Sequence, residues 1–288
     1  MRTLTAVGLV MQLLALFLVS PRSARAEADV EEWPLAEFPE PSGVVYHPDR
    51  DTLFIVGDQG DIAEVSTAGK LVKIRNIGGD LEGVTCNPAT GLLYVIREGH
   101  EILFEIRPDD FEIVRRFTID RSFEGNVNYL ERGGDGIEGV TFRPDEGHPE
   151  GGRFFAVNQF DPPALLELEV PLRSATERFA QARIVAAHEV GSPPLSGVRW
   201  DPVSDAFLVV SALWRSVWVA DAEGRELRSV RIPGFMQEGI EMLPDGSFVI
   251  VQDTGGLIRW NPAGNPFRDG REQASVSEKA AKGRQDDD

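Results

Sequence analysis

A single cysteine, Cys86, stands in the 288 residues. That excludes an intrachain disulfide framework and any zinc site built on several thiolates. Four histidines, at 47, 100, 148 and 188, are too scattered for a His-x-x-x-His metal pair. Basic residues are also scarce, with 29 Lys+Arg against 47 Asp+Glu and a formal charge of −18. A surface without a basic stripe has no footprint for phosphate backbones, so nucleic acid is excluded as a partner. There is no Gly-x-Ser-x-Gly element, and Ser42, Ser196 and Ser211 belong to no evident Ser-His-Asp arrangement. Nucleophilic acyl chemistry therefore has little support.

Long apolar runs are absent after the first two dozen residues. Arg2 precedes an apolar stretch over 4–19, followed by Pro21 and the small-residue sequence Ser23-Ala24-Arg25-Ala26. This is the order of a secretory signal, and cleavage is expected after Ala26. The stretch is shorter than the roughly 20 residues of a membrane span. Retained, it would associate the chain with the envelope membrane. Segment 1–26 carries three arginines and no acid, which leaves −21 on residues 27–288. The expectation is a periplasmic or secreted monomer with no membrane span after cleavage. A single domain is expected over 27–268, and a polar, disordered tail over 269–288.

What the sequence does contain is repetition. Ser42-Gly43-Val44-Val45-Tyr46-His47-Pro48 returns as Glu82-Gly83-Val84-Thr85-Cys86-Asn87-Pro88 and as Glu138-Gly139-Val140-Thr141-Phe142-Arg143-Pro144. It returns again as Ser196-Gly197-Val198-Arg199-Trp200-Asp201-Pro202 and as Glu238-Gly239-Ile240-Glu241-Met242-Leu243-Pro244. The glycines are 40, 56, 58 and 42 residues apart, and repeats of roughly 40–50 residues indicate propeller blades. A branched and aromatic run follows each phrase, at 53–57, 92–96, 154–157, 207–210 and 248–251. Third runs follow at 62–66, 102–106, 165–170, 217–220 and 257–260, and fourth runs at 71–77, 113–119, 184–190 and 226–232. The fold expected is all-β, a five-bladed β-propeller of four-stranded antiparallel blades. The last copy lacks a fourth run, and residues 30–38 are expected to supply it, closing the ring. Insertions fall at 120–135 and 146–152, and a short helical turn is expected over 174–181.

Within the phrase, glycine fits where the first strands crowd the axis. The fifth position (Tyr46, Cys86, Phe142, Trp200, Met242) is bulky or apolar, so it should pack between blades, and Cys86 reads as a core residue. The first position is always polar: Ser42, Glu82, Glu138, Ser196, Glu238. The end of each antiparallel second strand lies beside the start of the first, which adds Asp58, Glu98 and Asp253. Six carboxylates at one mouth repel, at about 4 kcal/mol for a pair 4 Å apart in an effective dielectric of 20. Protonation, arginine partners or a bound cation relieve this. Arg97 should point away from Glu98. Six to eight oxygen ligands suit calcium better than magnesium or zinc, so Glu82, Glu138, Glu238, Asp58, Glu98 and Asp253 form the candidate calcium site.

These phrases resemble the SdiA-regulated family, bacterial envelope proteins distantly related to NHL-repeat propellers. The resemblance rests on Asp80-Leu81-Glu82-Gly83-Val84-Thr85, Gly136-Ile137-Glu138-Gly139-Val140 and Gln237-Glu238-Gly239-Ile240, with the Ser-Gly-Val phrases at 42 and 196. It covers roughly residues 38–262. Glu-Gly-Ile/Val also occurs in phytase-like esterase propellers and in NHL proteins. The resemblance implies a five-bladed propeller with a calcium site.

Two functions fit. One is a non-enzymatic calcium-binding module that presents loops to a small molecule or an envelope protein, where Trp214 and Trp218 flank Arg215. The other is a calcium-dependent hydrolase of the phytase-like esterase, phosphoesterase or lactonase kind, with the ion polarising the substrate. The histidines offer that chemistry little: His100 reads as a turn residue, His47 and His148 as exposed, and His188 as part of an outer strand.

Overall fold

The computed structural model describes residues 29–35, 38–133, 136–190 and 194–268. The expected signal peptide over 1–26 and the tail over 269–288 lie outside the described residues. Twenty strands and no helix make up the described chain. The first is β1 (Asp29–Trp33). A four-stranded meander follows: β2 (Pro41–His47), β3 (Thr52–Gly57), β4 (Asp61–Ser66) and β5 (Leu71–Asn76). The next comprises β6 (Leu81–Asn87), β7 (Leu92–Arg97), β8 (Ile102–Ile106) and β9 (Ile113–Asp120). A third is built from β10 (Ile137–Pro144), β11 (Gly152–Asn158), β12 (Ala164–Glu169) and β13 (Phe179–Glu189). Then come β14 (Gly197–Asp201), β15 (Ala206–Ser211), β16 (Ser216–Ala220) and β17 (Glu226–Arg231). The last strands are β18 (Gln237–Met242), β19 (Phe248–Gln252) and β20 (Leu257–Asn261).

β1 pairs antiparallel with β20, Trp33 opposite Leu257, and so completes the last sheet. The expected strand over 30–38 therefore exists, shifted to Asp29–Trp33. Two expectations change. The sheets are four rather than five, because the outer strands β13 and β9 pair in parallel, Phe179 opposite Arg116, and fuse two meanders into one eight-stranded sheet. For the same reason no helical turn spans 174–181: residues 179–181 find hydrogen-bonding partners on β9 and extend β13 towards its N-terminus.

The phrase strands β2, β6, β10, β14 and β18 touch one another in a closed cycle. Their glycines permit it. A Cβ on Gly139 would stand 2.7 Å from Gly197 Cα and 2.7 Å from Val198 N, and one on Gly83 2.8 Å from Gly139 Cα. Both would collide with the backbone of the neighbouring first strand. Threonines tie the same strands together: Phe142 N donates to Thr85 Oγ1 (3.1 Å) and Trp200 N to Thr141 Oγ1 (3.0 Å). Farther out the meanders pack through their apolar faces, with Phe155 against Phe207 and Tyr94 against Phe154. Cys86 packs beside Val45, Val84 and Leu93, and burial pushes its thiol up to about 12. His47 departs from expectation: it is buried, stacks edge-on to Phe54 and bonds through Nε2 to Gly91 O (2.9 Å).

Candidate metal centre at the axial mouth

The first residue of each phrase is placed by a defect in its ladder. In β2 the pairing jumps from Pro41–Gly57 to Gly43–Val56, leaving Ser42 as the extra residue. The same irregularity falls at Glu138 in β10, at Glu238 in β18, and across Glu82 and Gly83 in β6. A bulge releases the residue from the alternation of the strand and re-aims its side chain. Here the side chains turn to the axis, where Ser42, Glu138, Ser196 and Glu238 line a narrow central cavity. The second strands end at the same mouth. Glu98 N donates to Asp80 O (2.9 Å) and Asp253 N to Met236 O (3.0 Å), which fixes Glu98 and Asp253 beside the starts of β6 and β18.

Glu82, Glu138 and Glu98 are buried, whereas Asp58 is partly exposed. Burial holds the Glu82 carboxyl well above the usual carboxylate range, and the charges of Glu138 and Asp58 push it further. Burial and Glu98 raise Glu138 to about 9. Burial, Asp253 and Asp58 raise Glu238 to about 8, although its hydrogen bond with Ser196 opposes the shift. Asp58 is raised by burial, with Asp80 and Asp253 adding to it, while Ser42 Oγ donates a hydrogen bond that opposes it. The charges acting on these four groups are carboxylates in every case. All six expected residues thus belong to one electrostatic cluster.

Their roles divide. Glu98 Oε1 accepts a hydrogen bond from Gly136 N (2.7 Å) and helps position the strand that carries Glu138. Ligand atoms of Asp58, Asp80 and Glu82 lie within 4.8 Å of one another, a spacing that one cation can bridge. Asp80 was not among the expected ligands, although it opens the Asp80-Leu81-Glu82 motif two residues before the phrase. Its Oδ1 is buried without a hydrogen-bond partner among the described residues. An all-carboxylate donor set with an orphaned oxygen fits a hard divalent cation such as calcium. The Arg97 side chain lies along Gly79, the residue before Asp80. Sequence reasoning also missed buried Glu101, which pairs with Arg121 at the edge of the mouth and is thereby neutralised locally. His100 is an exposed turn residue. Trp218 is buried in the core, whereas Trp214 is exposed.

Among solved structures, the glutaminyl cyclase of Myxococcus xanthus is similar over 81% of this chain and 95% of its own, at 16% identity and a TM-score of 0.56. Hydrazine synthase of Kuenenia stuttgartiensis matches over 74% and 56%, at 16% identity and a TM-score of 0.45. The Cps50 (Swd1) β-propeller domain of Myceliophteria thermophila matches over 74% and 62%, at 12% identity and a TM-score of 0.42. At such identity the cyclase likeness concerns the fold alone, a propeller-like all-β module. No curated protein matches the sequence. The SdiA-regulated family model matches residues 22–241, across all four complete meanders and into β18, and the chain belongs to that family.

Proposed function

We propose that the chain is an exported five-bladed β-propeller of four-stranded blades that binds calcium at its axial mouth and serves as a binding module of the bacterial envelope. Four meanders plus the β18–β20 sheet completed by β1 supply five groups of four strands, and their first strands form a closed cycle. The fused eight-stranded sheet then represents two blades joined at their rims.

One observation carries the calcium reading. Carboxylates converge at the mouth and raise one another's proton affinity, and Asp58, Asp80 and Glu82 place ligand atoms within 4.8 Å of one another. Asp58, Asp80 and Glu82 would hold the ion. Glu138, Glu238, Glu98 and Asp253 would supply the surrounding negative field, which a divalent charge offsets. A bound calcium supplies Lewis-acid polarisation of an oxygen ligand, while the chain's own residues bind and orient it.

Calorimetric titration of calcium into chelator-treated protein tests this. Saturable binding with a rise in Tm is expected, and Glu82→Gln should abolish most of both. Absence of heat and of any Tm change would remove the reading. The same samples, offered p-nitrophenyl esters, phosphates and simple lactones, separate module from hydrolase. Turnover that a chelator abolishes would install the calcium-dependent hydrolase instead.

A further inference from the structure

We propose that the cleft between the third and fourth meanders is a second ligand site, for a primary amine carried on a small aromatic body, with Trp218 in its wall and Glu226 as its charge partner. The cleft has a volume of about 280 Å³. Leu165 of β12, Leu195 just before β14, Val209 of β15, and Trp218 and Ala220 of β16 form its apolar lining, and all five are buried. They belong to one core cluster, whose members meet across the junction of the two meanders. An apolar cavity of ~150 Å³ takes up benzene, so this cleft admits one aromatic ring with a short tether. No residue of its lining belongs to the carboxylate cluster at the mouth.

Strand register sets the polar end. Trp218 and Ala220 are two residues apart on β16 and share a face. Phe207, Ala220 and Glu226 lie opposite one another across β15, β16 and β17, so Glu226 continues the row of Ala220 to the outer edge and reaches the rim of the cleft. On the other wall His188 lies opposite Leu165. The turn between β16 and β17 closes against it: Gly224, at φ +72°, sits so near that a Cβ on it would stand 2.7 Å from His188 Cβ. Asp221 holds this turn rigid, accepting hydrogen bonds from Glu223 N (3.1 Å) and Arg225 N (2.9 Å).

The charge of the rim selects the ligand. Glu189 and Glu226 are the charged residues of the lining, and no Lys or Arg stands among the described residues that form it. Arg225, next to Glu226 in sequence, is already engaged by Asp221 (2.8 Å) and Glu223 (3.5 Å). Glu226 itself forms no ion pair among the described residues. Such a rim repels an anion, whereas an ammonium group gains from the carboxylate and from the electron-rich face of the Trp218 indole. The apolar walls recognise the ring by removing it from water. A cleft with apolar walls and a few polar groups at one end is the ordinary form of a small-molecule site.

Isothermal titration of phenylethylamine into the full chain near neutral pH tests the site, against phenylethanol (the same body without charge), phenylpropionate (the opposite charge) and ethylamine (no ring). The amine should bind saturably and about fivefold or more tighter than phenylethanol, with phenylpropionate and ethylamine weaker still. Glu226 is exposed, so E226Q should fold as wild type does. It should weaken the amine about threefold or more and leave phenylethanol unchanged. A220L fills the cleft and should abolish binding of both, with circular dichroism unchanged. Saturating calcium should leave the amine's affinity within about twofold, which separates this site from the carboxylates of the mouth. Phenylethanol binding as tightly as the amine, an unaltered affinity in E226Q, displacement by calcium, or no saturable binding would overturn the proposal. Should A220L fail to fold, the E226Q result and the calcium insensitivity decide alone.

Discussion

Replacing Glu138 with glutamine removes a charge that the folded chain has to suppress. Burial and the charge of Glu98 push its carboxyl up to about 9 in the folded state, from an ordinary value near 4.5. The sign follows from linkage. A carboxyl whose folded value is raised keeps a proton that the unfolded chain releases, so its contribution to stability is fully present below pH ~4.5 and is lost as pH rises towards about 9. Each pH unit in that window costs about 1.4 kcal/mol for one proton, or roughly 4 kcal/mol between pH 5 and 8. That is the same scale as the repulsion between two carboxylates about 4 Å apart. Glu238, raised to about 8, adds a second loss over the same window. Domain stabilities are about 5–15 kcal/mol, so without a cation the protein at pH 8 has little to spare. Differential scanning calorimetry in chelator at pH 5 and pH 8 reads the effect. Wild type should melt well below its pH 5 value at pH 8. At roughly 2–4 °C per kcal/mol, Glu138→Gln should melt about 8–16 °C above wild type at pH 8 and close to it at pH 5. A wild-type Tm that is flat over this range, or a variant no more stable than wild type at pH 8, would refute the reasoning.

Other positions separate the mouth from the scaffold. Glu64 is buried, receives Arg50 (2.9 Å) and Lys73 (3.2 Å), and lies away from the mouth; Glu64→Gln should cost about 2–4 kcal/mol by guanidinium melts while leaving calcium affinity within twofold. Gly139→Ala drives a methyl group into the backbone of Gly197 and Val198, so soluble yield should collapse or Tm fall by about 10 °C or more. Trp33→Ala strips β1 of its one buried anchor, which lies over Gly69. It should cost about 3–5 kcal/mol by the same melts and leave calcium titrations unchanged, because the last sheet loses packing rather than ligands.

The strand plan was legible because each copy of the phrase carries its own explanation. Glycine marks the contact with the neighbouring first strand, the fifth residue fills the space between sheets, and the apolar run that follows forms the second strand. The fusion of β13 with β9 was not legible. It joins residues more than sixty positions apart through backbone hydrogen bonds, which leave no side-chain signature, and it turned the polar stretch around Phe179 into strand. His47 misled for a related reason. It stands before proline, as a turn residue does, but its Nε2 finds a carbonyl on the adjacent sheet.

At the mouth, the sequence placed the carboxylates but not their division of labour. Strand alternation alone would send alternate residues to opposite faces, yet the bulges at Ser42, Glu82, Glu138 and Glu238 override it, and a bulge has no reliable sequence mark. Asp80 escaped notice because it precedes the repeated phrase; only in three dimensions does it stand beside Asp58 and Glu82. The two serines of the series explain why the site is one-sided. Ser42 donates to Asp58 and Ser196 to the backbone at Gln237, so at these positions the ring places a hydrogen-bond donor where the other copies place a charge. Five glutamates would gather more negative charge than one divalent ion offsets. Three glutamates with two serines still leave seven carboxylates once Asp58, Asp80, Glu98 and Asp253 are counted. Protons held by groups such as Glu138 and Glu238 therefore share the compensation with any cation, and the most open face of the cluster lies at Asp58 and Asp80. That face is where a ligand bound to the ion would approach.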